Sequence, residues 1–224
     1  MDITESPAML ARAIGRYEVA KHDALAGLLQ PGDTFVDVGV NKGDFTLHAA
    51  KIVGDSGHVL SFEPEPTNCK WIEESICLNK YANTQLFPVA LSDSDGEGTL
   101  YLGKRSGWHT LVPNQESRNC GTIRVNTRTL DKVLAEIGFA PAIDVIKIDV
   151  EGAEMNVLRG AKGVLSENPD IILLIDIHPM MGGDPKDLCS YLQAQGFLIY
   201  REQPPYSVPV NEYADLTSIV ARRI

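Results

Sequence analysis

Hydrophobic residues recur along this chain in two alternating rhythms. Short aliphatic runs, TFVDV (34–38), HVLSFE (58–63), IDVIKIDV (143–150) and DIILLIDIH (170–178), predict strands. Between and after them, GDFTLHAAKIV (43–53), TNCKWIEESICLNK (67–80), TLDKVLAEIG (129–138), AEMNVLRGAKGVL (153–165) and DPKDLCSYLQAQG (184–196) space their apolar residues as helices do. Thr67 is the expected N-cap of the second of these helices. TQLFPVAL (84–91) predicts a third strand, interrupted or placed at an edge by Pro88. GTLYLG (98–103) and GTIRVNTR (121–128) predict antiparallel strands around a polar loop. FLIYREQ (197–203) and LTSIVARR (216–223) close the series.

Aliphatic runs with few polar breaks indicate strands buried on both faces, as in a parallel sheet covered by helices. The fold class is therefore α/β, a doubly wound, mostly parallel sheet with an inserted β-hairpin near 98–128. Residues 7–29 have helical spacing and end at the turn QPGD. The chain then divides into an N-terminal helical segment, 1–32, and one domain, 33–224.

Charge narrows the partners. A net charge of -10 and a pI near 4.9 argue against a nucleic-acid backbone and against an anionic membrane surface. Cys69, Cys77, Cys120 and Cys189 form no C-x-x-C pair, the pattern of a reduced cytoplasmic chain. The N-terminal residues lack the apolar core of a signal peptide, and IILLI (171–175) is too short to cross a bilayer. Cytoplasmic localisation is the expectation.

In an open parallel sheet the ligand sits beyond the carboxyl ends of the strands. Here those loops hold Asp37 to Gly43, Glu63, Leu91 to Asp93, Asp149 to Glu154 and Asp176 to His178, and acids dominate. A dinucleotide site asks for three glycines, whereas this turn is Gly39-x-x-x-Gly43 with Asn41 at the middle position. Taken alone, it equally fits a tight turn without a ligand. Glu63 stands where an acid can accept both hydroxyls of a ribose, although such an acid can also be a solvated cap. Asp37 beside the turn would repel a pyrophosphate but favours a cation. These features together point to S-adenosylmethionine, a nucleoside with a sulfonium, an ammonium and one carboxylate.

The series FVDVGVNKGDFT, VLSFEPEPTN, VALSDSDGEGTLYL, VNTRTLDKVL, IDVIKIDVEGAEMNVLRGA and IDIHP closely resembles the FkbM family of S-adenosylmethionine-dependent methyltransferases over residues 33–180. The resemblance implies a class I methyltransferase fold with seven strands, one of them antiparallel. It also implies O-methylation of a small-molecule hydroxyl acceptor, typically on a sugar or polyketide-like natural product. By the same resemblance, Asp37, Gly39 and Gly43 serve the methionine side, Glu63 the ribose, and Ser92 and Asp93 border the adenine. Asn41 matches an asparagine the family often has, and Asp149 faces the transferred methyl.

A sugar-like hydroxyl is a poor nucleophile, so a base or Lewis acid is expected. His178 is the first candidate for base and Asp149 the second, each set against a merely structural role. Asp149, Asp176 and His178 could together hold a divalent metal, although metal dependence is not the expectation. Glu151 and Glu154 read as first-turn helix acids. Trp108 and His109 belong to the polar loop, a lid and acceptor wall or a flexible exposed loop. His22, His48 and His58 receive no chemistry. The competing readings are an NAD(P)-dependent oxidoreductase and a catalytically silent binding module of the same fold. A homo-oligomer remains open.

Overall fold

The computed structural model describes residues 18–104, 106–113, 120–202, 204, 206 and 208–223. Part of the expected N-terminal helix (7–17) and part of the polar loop (114–119) lie outside the described residues. The elements run α1 (Val19–Leu28), β1 (Thr34–Val38), α2 (Asp44–Val53), β2 (His58–Phe62), α3 (Pro66–Asn79), β3 (Thr84–Phe87), β4 (Ala90–Leu91), β5 (Gly96–Tyr101) and β6 (Thr122–Arg128). They continue through α4 (Leu130–Glu136), β7 (Val145–Ile148), α5 (Glu154–Arg159), α6 (Lys162–Glu167), β8 (Ile172–Asp176), α7 (Pro185–Ala194), β9 (Leu198–Arg201) and β10 (Ser218–Arg222).

Seven strands form one sheet in the order β3-β2-β1-β7-β8-β10-β9. β10 is antiparallel to both neighbours, and the remaining pairs are parallel. The chain winds outward from β1 to β3 and returns to β7 beside β1, so the topological switch point lies between β1 and β7. This is the α/β architecture of class I methyltransferases.

Three local expectations change. Pro88 does more than interrupt a strand: β3 stops before it, and β4 leaves to join β5 and β6 in a separate three-stranded sheet. The cap of α3 is Glu65 and not Thr67. Its carboxylate accepts the amides of Thr67 and Asn68, and Pro66 fills the first helical position, where no amide partner is needed. The helix expected over 153–165 is two helices, α5 and α6. At the break, a Cβ on Gly160 would come within 2.0 Å of the Ser92 carbonyl oxygen, so the β4–β5 loop packs directly on its backbone.

Strand alternation sorts the core into two layers. Val36, Val38, Leu60, Phe62, Ile146 and Ile148 face α4 to α7, while Phe35, Val59 and Val145 pack with Leu25 of α1 and with Phe45 and Ala49 of α2. By the same period of two, Asp37 and Lys147 share the α1–α2 layer with Phe35 and Val145. Among the described residues no helix is long and apolar enough to cross a membrane. The four cysteines are free thiols.

Candidate active site

A cleft opens at the carboxyl ends of β1, β2 and β7. One wall carries Val38, Gly39, Asn41, Phe62 and Glu63; Asp149, Val150 and Glu151 line the far end; Gly107, His109, Thr110 and Leu111 come from the β5–β6 connection. Gly39 has φ 84°, and a Cβ there would lie 1.9 Å from the Asp149 carbonyl oxygen. Only glycine lets the β1 turn press against the loop after β7. Asn41 also takes a left-handed conformation, φ 54°. The Thr110 hydroxyl donates to the Glu151 carbonyl at 2.6 Å, fastening the β5–β6 connection to the loop after β7.

Glu63 is buried and anchored. Its carboxylate accepts the amides of Asn41 (2.7 Å) and Glu65 (3.0 Å) and the Asn68 side-chain amide (3.3 Å). Burial pushes its pKa up to about 7, against the lowering effect of these donors. The Gly103 amide donates to His109 Nδ1 at 3.0 Å, which leaves the proton of the neutral ring on Nε2. Burial lowers the His109 pKa, so the ring is neutral at pH 7.

At the far end, His178 stands among three carboxylates. Its Nδ1 lies 2.8 Å from Glu154 Oε1, and its Nε2 lies 3.5 Å from Asp149 Oδ1 and 3.6 Å from Glu151 Oε2. Burial alone would lower the imidazole pKa. The Glu154 hydrogen bond and the charges of Glu151 and Asp149 outweigh it and carry the group to about 9. His178 therefore holds a proton at neutral pH and is not the free base expected from sequence. Burial lifts Glu151 to about 7 despite the attraction of His178. Asp149 is also opposed by burial, but Lys147, His178 and Lys21 hold it below the usual carboxylate range.

Behind this end lies a buried ionic layer that sequence reasoning missed. Lys147, 3% exposed, sits 3.4 Å from Asp149 Oδ2 and 3.7 Å from Asp37 Oδ1, and its ammonium lies 4.7 Å from the Phe45 ring centroid. Lys21 of α1 reaches Asp176 at 2.7 Å. The signal was available: a lysine flanked by Ile146 and Ile148 in a strand buried on both faces requires a counter-charge.

The residues chosen from sequence thus separate. Gly39, Asn41, Glu63 and Asp149 line the cleft, and His178 touches it through Asp149 and Glu151. Asp37 does not line it. Its side chain has no exposure, accepts the Thr46 hydroxyl at 2.7 Å and faces α2, because strand alternation aims Val38 at the cleft instead. Gly43 caps α2 with φ 87° and lies outside the cleft lining. Ser92 and Asp93 lie outside the cleft lining, the Ser92 amide bonding the Arg128 carbonyl at 2.8 Å, whereas the preceding Ala90 and Leu91 line it. In the acidic group at the rim Glu151 replaces Asp176, which Lys21 engages. Glu154 begins α5 as expected, but it is 1% exposed and serves His178 and the Gly152 amide.

Residues 37–199 match the Methyltransferase FkbM domain. Hexuronic acid methyltransferase AglP of Haloferax volcanii is 31% identical over 162 residues, covering 71% of this chain and 61% of that protein. The 31-O-demethyl-FK506 methyltransferase FkbM of Streptomyces tacrolimicus is 27% identical over 206 residues, covering 79% and 77%. The crystal structure of Methyltransferase FkbM from Methylobacillus flagellatus KT shares the fold, with a TM-score of 0.58 and 17% identity. The likeness covers 87% of this chain and 45% of that one. With the domain matching across most of the chain, on a class I methyltransferase fold, this protein belongs to the FkbM family of methyltransferases.

Proposed function

We propose that the protein transfers the methyl group of S-adenosylmethionine to a hydroxyl oxygen of a small molecule, a sugar or a polyketide-like natural product. One observation carries the reading: a single cleft joins a buried, hydrogen-bonded Glu63 to a carboxylate pair, Asp149 and Glu151, at its other end. Glu63 suits the ribose hydroxyls, and Phe62 and Leu91 give the base an apolar wall. The methionine end runs along the turn from Gly39, with Asp37 contributing charge from behind through the buried layer. The acceptor hydroxyl lies against Asp149 and Glu151.

The reaction is an in-line displacement. The acceptor oxygen bonds to the methyl carbon as the carbon–sulfur bond breaks, sulfur keeps the electron pair, and the hydroxyl proton leaves toward the carboxylate end. Fixing donor and acceptor in line supplies on the order of 7 kcal/mol in favourable cases. The hydrogen bond from the Thr110 hydroxyl to the Glu151 carbonyl holds the β5–β6 connection against this region. The names of relatives agree in kind: one is a hexuronic acid methyltransferase, and another acts on 31-O-demethyl-FK506.

Calorimetric titration with S-adenosylmethionine, followed by mass spectrometry of hydroxylated sugars, glycolipids and polyketides incubated with methyl-labelled donor, tests the proposal. Donor binding and a labelled ether support it. Binding of NADH without binding of S-adenosylmethionine overturns it.

A further inference from the structure

We infer that Asp149, Glu151 and His178 form a binding site for a divalent cation at the acceptor end of the cleft, with Glu154 as the positioning residue for His178. The inference deepens the methyl-transfer reading and rests on it for the acceptor. One ligand atom from each of the three side chains lies within 4.8 Å of the others. They come from the end of β7, the loop after it and the end of β8, so the site closes only in the folded chain.

Glu154 makes this more than a group of acids. Its side chain is 1% exposed and held by the Gly152 amide at 2.9 Å, and among the described residues Oε2 has no hydrogen-bond partner. Oε1 lies 2.8 Å from His178 Nδ1, a contact that requires Nδ1 to carry a proton. Nε2, the other ring nitrogen, then faces Asp149 Oδ1 and Glu151 Oε2, at 3.5 and 3.6 Å. In the free protein the second imidazole proton occupies the space between Nε2 and the two carboxylates, and a divalent cation would take its place there as that proton leaves to solvent. A buried carboxylate fixing the distal nitrogen of a metal-binding histidine is the usual outer-shell arrangement.

Distance and charge agree. Two metal–ligand bonds of about 2.1 Å opened to roughly 110° span ~3.5 Å between donors. Five carboxylates, Asp37, Asp149, Glu151, Glu154 and Asp176, lie around three cationic side chains, Lys21, Lys147 and His178, leaving an excess of negative charge. Two carboxylates with one imidazole suit a cation such as Mn²⁺, between the oxygen-seeking and nitrogen-seeking metals. Both carboxylates line the cleft, so the remaining coordination positions face the acceptor. There the cation would take the acceptor hydroxyl and a neighbouring oxygen, favouring vicinal diols and hydroxy-carbonyl groups.

The test is a titration of the purified full chain with Mn²⁺, reading the free ion by electron paramagnetic resonance, alongside calorimetry of S-adenosylhomocysteine on the same samples. Uptake of one Mn²⁺ per chain, weakened at least ~10-fold by His178→Gln and by Asp149→Asn and ~10–100-fold by Glu154→Gln, supports the site. Two variants at different ligands guard against misfolding of one, and retained nucleoside binding certifies each fold. No uptake at millimolar Mn²⁺, or uptake unchanged by His178→Gln and Asp149→Asn, overturns it. Nucleoside binding without Mn²⁺ uptake removes the metal and leaves methyl transfer standing; Mn²⁺ uptake without nucleoside binding does the reverse.

Discussion

Glu63 Oε2 accepts the amide hydrogen of Asn41 at 2.7 Å, tying the carboxylate after β2 to the turn after β1. The acid is thereby placed beside the glycine turn, and its burial raises its pKa from 4.5 to about 7. Ribose hydroxyls donating to the carboxylate would favour its ionised form. Below pH 7, nucleoside binding should therefore release a proton, and affinity should rise with pH up to about 7 and then level. Calorimetry in buffers of different ionisation enthalpy measures that proton. Glu63→Gln should abolish the Glu63 contribution and weaken binding by ~1.5–3 kcal/mol. In the free protein, the folded state binds more protons than the unfolded chain between pH 4.5 and 7. This carboxyl's contribution to stability thus falls as pH rises through that window.

Lys147 is the shared counter-charge of Asp37 and Asp149. Lys147→Met should cost ~3–5 kcal/mol in urea unfolding, since it leaves buried carboxylates uncompensated. Adding Asp37→Asn should recover part of that loss. Equal losses in the single and double variants would mean that the ammonium does not stabilise Asp37.

Gly39 and Gly27 make a paired experiment. Gly39→Ala adds a Cβ 1.9 Å from a backbone oxygen at a positive φ, so both stability and nucleoside binding should collapse. Gly27, inside α1, has open space around the added carbon. Gly27→Ala should raise stability by ~0.4–1 kcal/mol. Thermal melts of the two variants decide.

Thr110 joins two segments through one hydroxyl, which donates to the Glu151 carbonyl at 2.6 Å and accepts the Val112 amide at 3.0 Å. Thr110→Val should cost ~1–3 kcal/mol and speed amide exchange across 101–112. It should also lower kcat/KM for methyl transfer, because the loop after β7 loses its support. Unchanged exchange would show that the β5–β6 connection is held by other contacts.

Much of the plan was legible in the primary structure because it rests on local rules. Aliphatic runs alternating with helical spacing are enough to specify a doubly wound sheet, and Gly39 followed by an acid at Glu63 marks its ligand edge. Boundaries were less legible where a single backbone contact decides them. Gly160 splits a helix only because the Ser92 carbonyl packs on it, and Pro88 sends β4 to another sheet only because β6 awaits it.

The sequence by itself determined the order of elements, the cleft's position at the strand ends and the acidic character of its loops. Only the folded chain decided which acids meet there. Strand alternation turned Asp37 inward against Lys147, Lys21 drew Asp176 away, and Glu151 and Glu154 closed around His178. A side chain's partner depends on which face and which neighbouring strand the sheet gives it. Lys147 and Asp37, 110 positions apart along the chain, become cross-strand neighbours only when β1 pairs with β7.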